Sequence, residues 1–172
     1  MNNLLLKGKL VNIRTVEETD AAFILSLRCD EEKSKFLHPT ENNLSKQVQY
    51  INTHKSLDNE WYFIITNKQN KPIGTYRIYD LRKDSFCIGS WLMVKGATAG
   101  EVLEGDFLAK TLGFEKTGFS KFHFDVRKAN KKVVKYHLLM GAQIVGENEQ
   151  DYFFECTKEA FLKNKPKFLA LL

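Results

Sequence analysis

The chain has 172 residues, of which 43% are apolar and 27% charged, and its formal net charge at pH 7 is +5. This length suits one domain with a hydrophobic core, and this composition excludes an intrinsically disordered or fibrous chain. No apolar run approaches the roughly 18–20 residues that a transmembrane helix needs, and the opening segment MNNLLLKGK lacks the features of a signal peptide. A cytoplasmic protein is therefore expected.

The three cysteines and four histidines are scattered along the chain and show no spacing typical of a metal site. A bound metal is therefore not expected. The mild basic excess leaves three kinds of partner open, namely nucleic acid, an anionic membrane surface and a phosphate-bearing small ligand. Because the lysines form no long block, the first two are disfavoured.

The first part of the chain predicts one strand, two helices and a loop. Alternating apolar residues predict a strand, and Thr19 or Asp20 is a suitable N-cap for the helix that follows it. A polar, irregular stretch then predicts a surface loop before a second helix. The strand, the loop and the second helix cover residues 10–16, 28–43 and 43–56.

The middle of the chain changes to a period of two residues, which is typical of strands. Three such runs are separated by short turns and predict an antiparallel meander. The runs cover residues 61–66, 72–80 and 85–94.

The last part of the chain returns to alternating strands and helices. A loop over 95–100 leads into a helix with Gly113 near its end, and a strand follows. Asn130 predicts the N-cap and Gly141 the C-terminal end of the next helix. A closing strand hairpin and a basic, apolar tail, helical before Pro166, complete the chain. The strand, the two hairpin strands and the tail cover residues 121–127, 142–146, 152–157 and 158–172.

Together these elements predict an α+β fold in one domain over residues 1–172. Its sheet is expected to be mixed but mostly antiparallel, and flanked by helices. There is no internal repeat, linker or low-complexity segment in the sequence.

The loop between the third meander strand and the next helix is made of small residues, Lys-Gly-Ala-Thr-Ala-Gly. A helix start leaves backbone N–H groups without intrahelical partners, and the helix dipole adds positive potential there. Such a site suits a phosphate or pyrophosphate. The same small residues also suit any tight turn, so the loop alone leaves a purely structural role open.

The full order of elements resembles the GNAT (Gcn5-related) N-acetyltransferase family. In that family the loop reads Gln/Arg-x-x-Gly-x-Gly/Ala and binds the pyrophosphate of acetyl-CoA. Lys95, Thr98 and Gly100 fall on the matching positions, with threonine in place of the middle glycine. The family pattern of Asn, an aromatic residue seven positions later and then Gly-Phe is similar to Asn130, His137 and Gly141-Ala142.

The resemblance implies acetyl-CoA as co-substrate and direct transfer of its acetyl group to a primary amine. His137 is implied as the group that donates a proton to the leaving thiolate or hydrogen-bonds to the acceptor, and Tyr136 is the second candidate, as a packing or cofactor contact. Trp91 is either a core residue or a wall of the acceptor pocket, and Arg28 and His38 flank the loop that covers that pocket. The implied cofactor contacts are Leu92, Met93, Val94, Lys95, Gly96, Ala97, Thr98, Ala99, Gly100, Asn130 and Lys132.

Arg28-Cys29-Asp30 is similar to the Arg-Asn-Asp run of RimJ/RimL-like members of the family. Together with Gly89-Ser90-Trp91 and Val126-Arg127-Lys128, it makes the chain most similar to the branch encoded with surface-polysaccharide genes. The acceptor implied is the amino group of a nucleotide-linked sugar. Two alternatives stay open: a RimJ/RimL-like enzyme acting on protein N-termini, and a non-catalytic basic module that binds nucleic acid. Strand-core spacing of the aromatic residues disfavours the module. A homodimer is also left open.

The general base is not determined by the sequence. Glu31, His38, Asp80 and a chain of water molecules are all candidates.

Overall fold

The alternating apolar residues of the middle of the chain form the centre of an eight-stranded sheet. The computed structural model describes residues 5–170. Its strands are β1 Leu5–Lys7, β2 Val11–Thr15, β3 Trp61–Asn67, β4 Pro72–Tyr79, β5 Ser85–Met93, β6 Lys121–Arg127, β7 Gln143–Glu147 and β8 Asp151–Thr157. They pair in the order β1-β2-β3-β4-β5-β6-β8-β7.

The helices cover both faces of this sheet. They are α1 Ala21–Arg28, α2 Glu31–Ser34, α3 Leu44–Lys55, α4 Ala99–Thr117, α5 Lys131–Leu139 and α6 Lys158–Leu169, and a 3-10 turn, Glu18–Asp20, precedes α1. The α+β fold with a mixed, mostly antiparallel sheet and flanking helices is therefore confirmed.

The pairing of β5 with β6 is parallel, whereas the other neighbouring strands are antiparallel. Only Ser85–Cys87 of β5 pair with Lys121–His123 of β6 within the described chain. Because β5 runs on to Met93 and β6 to Arg127 without further pairing, a gap opens between the two strands. This gap positions the candidate site.

Two apolar cores fix the helices on the sheet. The larger core lies between the sheet and helices α4 and α6, and the smaller one lies under α1 and α3. Residues of β3 alternate between the two cores, as the period of a strand requires. The helix-side members of the larger core are Ala109, Leu112, Phe114 and Phe161, and those of the smaller core are Ala21, Ile24 and Ile51.

Helix α4 has a well-defined start and end. Thr98 and Glu101 form a capping box, in which the Thr98 side chain accepts from the Glu101 N–H and the Glu101 carboxylate accepts from the Thr98 N–H. Gly118 ends the helix in the left-handed region, with φ of +69°. Gly113 lies near the end of the helix, one turn before Thr117, and a Cβ there would overlap the ring of Phe86.

Four predicted local features are corrected by the structure. Strand β1 lies in the opening segment, for which no strand was predicted, and α2 lies within the predicted surface loop. Asn130 precedes α5, but its side chain makes no capping hydrogen bond. Helix α6 continues through Pro166, because proline removes only one N–H from a largely exposed helix that is anchored by the buried Phe161. Residues 171 and 172 of the predicted tail lie outside the described part.

Candidate functional site

A cavity of about 740 Å³ lies at the gap between β5 and β6. Its walls come from both faces of the sheet, so the cavity connects the α1/α3 side with the α5 side. On the β5 side the wall is Ile88–Trp91, and on the β6 side it is Phe124–Arg127. The residues that α1, α3, α5 and the loop after α2 add to it include Arg28, His38, Lys46, Gln47, Tyr50, Asn130, Val133 and His137.

The start of α4 has the geometry of an anion site. Thr98, which replaces the family's middle glycine, has φ of −71° and ψ of 158°, an ordinary extended conformation that needs no glycine. The capping box occupies the N–H groups of Thr98 and Glu101. The N–H groups of Ala99 and Gly100, in the first turn, have no acceptor among residues 5–170. These two amides can bind a phosphate oxygen.

Charges around this helix start are mixed. The ammonium group of Lys95 lies 3.7 Å from the carboxylate of Glu32, and both side chains are more than 80% exposed. Such an exposed pair is weak and leaves Lys95 able to turn toward an anion. Gly96 and Ala97 form the turn between Val94 and the helix, while Lys132 is exposed on α5 and does not line the cavity.

The end of β5 presents its backbone to the gap. Ser90 has φ of +50°, and Ser90 and Trp91 together lie opposite Tyr76 in a β-bulge. The Val94 N–H donates to the Ile73 carbonyl at 2.8 Å, so this amide is engaged in the sheet. Because N–H directions alternate along an antiparallel strand, the Met93 N–H points to the unpaired side, toward the gap.

His137 and Tyr136 point in different directions from α5. His137 is 4% exposed, borders the cavity and packs with its ring centroid 4.3 Å from that of Phe124. Burial, together with the positive charge of Lys110, holds the pKa of His137 well below its ordinary value. The imidazole is therefore neutral at pH 7 and can donate one N–H hydrogen bond.

Tyr136 joins a buried network beneath the site. Its hydroxyl donates to Asp106 Oδ2 at 2.5 Å, and Tyr76 donates to Asp106 Oδ1 at 2.9 Å. Lys110 donates to Asp106 Oδ2 at 2.6 Å, and both side chains of this ion pair are buried. Burial, followed by the charge of Asp106, raises the pKa of Tyr136 far above its ordinary value. The network joins α4, α5 and β4, and it keeps the Tyr136 hydroxyl away from the cavity.

Trp91 packs against the core and also borders the cavity. Its ring packs against Tyr76, Tyr136 and His137, with centroid distances of 6.3, 5.4 and 6.1 Å, and it also borders the cavity. Its indole nitrogen is buried without a hydrogen-bond partner among the described residues. A bound molecule can supply that partner.

The α1/α3 side of the cavity is cationic and aromatic. Arg28 borders it and donates to Thr40 Oγ1 at 2.7 Å, and His38 borders it as an exposed side chain. Arg77, which the sequence analysis did not single out, lies 4.7–5.6 Å from the ring centroids of three tyrosines and donates to Glu60 Oε2 at 2.7 Å. Alternation along β4 predicts its direction, but not the rings that surround it. Those rings belong to Tyr50, Tyr62 and Tyr79.

The candidates for a general base differ in whether they line the cavity. Glu31 does not line the cavity, and Asp80 is engaged by Arg82 and by His123, whose hydrogen bond lowers the pKa of Asp80. His38 borders the cavity. Asp125 on β6 also brings an exposed carboxylate to it, and no sequence pattern had pointed to this residue.

The comparisons with known proteins agree with this geometry. The family model for an acetyltransferase (GNAT) domain matches residues 11–143, so the chain belongs to the GNAT acetyltransferase family. It is an acetyl-CoA-dependent N-acetyltransferase. No curated protein shows a match to the chain.

Two solved structures illustrate the relationship. The apo structure of FdhC, a nucleotide-linked sugar GNAT, is 34% identical, with a TM-score of 0.87 and 97% of each chain covered. The spermidine N-acetyltransferase from Vibrio cholerae, in complex with CoA and spermine, is 17% identical, with a TM-score of 0.78 over 90% of this chain and 99% of that one. The second similarity shows the fold alone.

Within residues 5–170, no helix is long and apolar enough to cross a membrane. No group of three or more His, Cys, Asp or Glu side chains there is arranged to hold a metal ion.

Proposed function

We propose that the enzyme transfers the acetyl group of acetyl-CoA to the amino group of a nucleotide-linked sugar. The observation that carries this proposal is the cationic and aromatic wall of the cavity on the α1/α3 side, opposite the proposed cofactor side. Arg28 suits the phosphates of a sugar nucleotide, and the tyrosines suit its rings. Lys46 and Arg77 also border the cavity, each paired with one carboxylate, Glu41 and Glu60. The similarity to a nucleotide-linked sugar GNAT at 34% identity supports the same acceptor class.

The residues present fit acetyl-CoA. The amides of Ala99 and Gly100 bind the pyrophosphate, with Lys95 and Lys132 as nearby cations, and the Leu92–Val94 backbone with Asn130 lines the path to the gap. Acetyl-CoA supplies an activated acetyl thioester. None of the cysteines Cys29, Cys87 and Cys156 is among the described residues that line the cavity. Burial also raises the pKa of Cys87 and Cys156 to about 11, so neither of these two thiols is ionised at neutral pH. The chain therefore offers no cysteine placed to carry the acetyl group, which favours direct attack by the amine.

Three groups of the chain then serve the transfer. The Met93 N–H donates to the thioester carbonyl oxygen, where negative charge develops. Asp125 attracts the ammonium form of the acceptor and takes its proton, which leaves the amine neutral for attack. His137, neutral and inward-facing, donates an N–H hydrogen bond to the sulfur as the C–S bond breaks. The proton that the acceptor nitrogen loses when the C–N bond forms ends on this sulfur, so the products are the amide and CoA-SH. Tyr136, held by Asp106, acts through packing.

Thermal shift and turnover test the proposal. Acetyl-CoA at 100 times its dissociation constant should stabilise the folded state by about 2.7 kcal/mol, or roughly 5–10 °C in Tm for a domain of this size. A panel of amino-sugar nucleotides, peptide N-termini and spermidine should then show CoA release with at least one sugar nucleotide. Turnover of peptides or spermidine with no sugar nucleotide active would overturn the acceptor assignment.

Variants at the end of the cavity test the roles of the side chains. His137→Ala should lower kcat by about 10² while acetyl-CoA affinity stays within a few-fold, and His137→Gln, which keeps an N–H donor, should recover part of the loss. Tyr136→Phe should lower kcat much less than His137→Ala does. Near wild-type turnover in a folded His137→Ala, with an inactive Tyr136→Phe, would mean that the two roles are reversed.

A further inference from the structure

Gln47 is a buried polar side chain without a partner. It lies on α3, is 6% exposed, and its side-chain amide nitrogen is buried with no hydrogen-bond acceptor among residues 5–170. Four residues later on the same helix, Ile51 is fully buried in the smaller core. An unsatisfied buried donor costs about 1–3 kcal/mol, and an apolar residue would avoid this cost. The free protein therefore gives no stability reason for a glutamine here.

Gln47 also borders the cavity, on its α3 side, whereas the acetyl transfer is proposed at the gap between β5 and β6. Helix α3 packs on β3, and β3 is separated from β5 by β4. At about 4.8 Å between neighbouring strands, β3 and β5 lie about 10 Å apart. This distance exceeds the width of one hexose ring, so a molecule whose amine reacts at the gap meets Gln47 with a different, non-reacting part.

The surroundings of Gln47 suit a nucleotide. Arg28 borders the same stretch of the cavity and provides positive charge for phosphates. Lys46 also borders it in an exposed ion pair with Glu41, and such a pair is weak enough to open toward a phosphate. Tyr50 and Tyr62 provide aromatic surface, and the edges of nucleobases carry carbonyl or ring-nitrogen acceptors. A side-chain amide is a common hydrogen-bonding partner of such an edge.

We propose that Gln47 is a specificity-determining residue that donates a hydrogen bond from its side-chain amide to the base of the acceptor nucleotide. The inference rests on the proposed function, since it assumes a nucleotide-linked acceptor. It adds to that function a single buried donor that recognises the part of the acceptor that does not react.

Gln47→Met tests the inference, because methionine keeps the length of the side chain and removes the amide. The KM for the best sugar nucleotide of the panel should rise at least about tenfold, or 1.4 kcal/mol, with kcat within about threefold and the KM for acetyl-CoA unchanged. The Tm of the free variant should equal or exceed that of the wild type, because the methionine leaves no donor unsatisfied. Gln49→Met, at an exposed position of the same helix, is the matched control and should change neither the KM for the sugar nucleotide nor the Tm.

Titration calorimetry with free UDP, dTDP, GDP and ADP separates this inference from the proposed function. Wild-type binding of at least one diphosphate, with at least tenfold weaker binding by Gln47→Met, supports the inference. Equal binding by the variant and the wild type overturns the inference alone. A clear loss of Tm in the unliganded variant also overturns it, because the amide is then structural. A wild type that binds none of the four and acetylates no sugar nucleotide overturns both proposals.

Discussion

Glu104 holds the N-terminal hairpin onto α4 through three backbone hydrogen bonds. Its Oε1 accepts from the Lys9 N–H at 2.7 Å, and its Oε2 accepts from the N–H groups of Leu10 and Val11 at 2.6 and 2.8 Å. The residue is 6% exposed. These contacts join residues more than 90 positions apart, so Glu104→Gln should destabilise the whole fold.

The expected magnitude follows from the geometry. The glutamine oxygen can keep the two bonds now made by Oε2, but they lose the assistance of a negative charge. The new NH₂ group faces the Lys9 N–H, so a donor meets a donor. Loss of one charged hydrogen bond costs about 1.5–3 kcal/mol, and the weakening of the other two brings the total to about 2–4 kcal/mol after partial relief by water at Lys9. For a domain of this size, Tm should fall by roughly 5–15 °C.

Urea unfolding followed by circular dichroism measures this change. Glu115→Gln is the matched control, because Glu115 is exposed on the same helix, and it should stay within about 0.5 kcal/mol of the wild type. If the free energy of unfolding of Glu104→Gln lies within about 0.5 kcal/mol of the wild-type value, with an unchanged urea dependence, the three hydrogen bonds contribute little to the stability of the fold.

Three other predictions concern the proposed site and its support. Gly100→Val should weaken acetyl-CoA binding at least about tenfold by calorimetry, with Gly100→Ala intermediate, because the side chain hinders approach of a phosphate to the first-turn amides; unchanged affinity in a folded variant would exclude this loop. The lowered pKa of His137 means that below pH 6.5 the unfolded chain takes up a proton that the folded chain excludes, so stability present above pH 6.5 is lost as the pH falls, by up to about 1.4 kcal/mol per unit. His137→Gln should flatten this slope in urea unfolding between pH 7.5 and 5, and an identical slope in both proteins would contradict the burial argument. Asp106→Asn should lower the free energy of unfolding by about 3–5 kcal/mol, because it leaves the Lys110 charge buried and uncompensated, and the double variant Asp106→Asn/Lys110→Met should regain part of this stability. An equal loss of stability in the single and the double variant would show that Lys110 needs no counter-charge.

Most of the fold was accessible from the sequence because its elements are specified locally. The alternation of β3, β4 and β5 and the short turns between them predict the meander, and the Asn130 to Gly141 segment predicts α5 within a residue or two. The errors fall where local signals are weak. Strand β1 has three residues, α2 has four, and the start of α4 lies inside the predicted loop because Thr98 caps it.

The directions of neighbouring side chains on one helix were also predictable. A step of about 100° per residue separates Tyr136 from His137, and the structure turns the first to Asp106 and the second to the cavity. What Tyr136 binds was not predictable, since Asp106 lies 30 positions earlier on another helix. The role proposed for His137 remains a prediction, which the kcat values of His137→Ala and His137→Gln test.

The tertiary structure alone decided what the buried polar side chains contact. Gln47, Glu104 and Asp106 give no local signal, because a polar residue on a helix is usually exposed, and their burial follows from the packing of whole helices on the sheet. The cavity has the same origin. Local alternation forms β5 and β6, but the gap exists because these strands are parallel for three residues and then diverge, a relation between segments that are distant in the sequence.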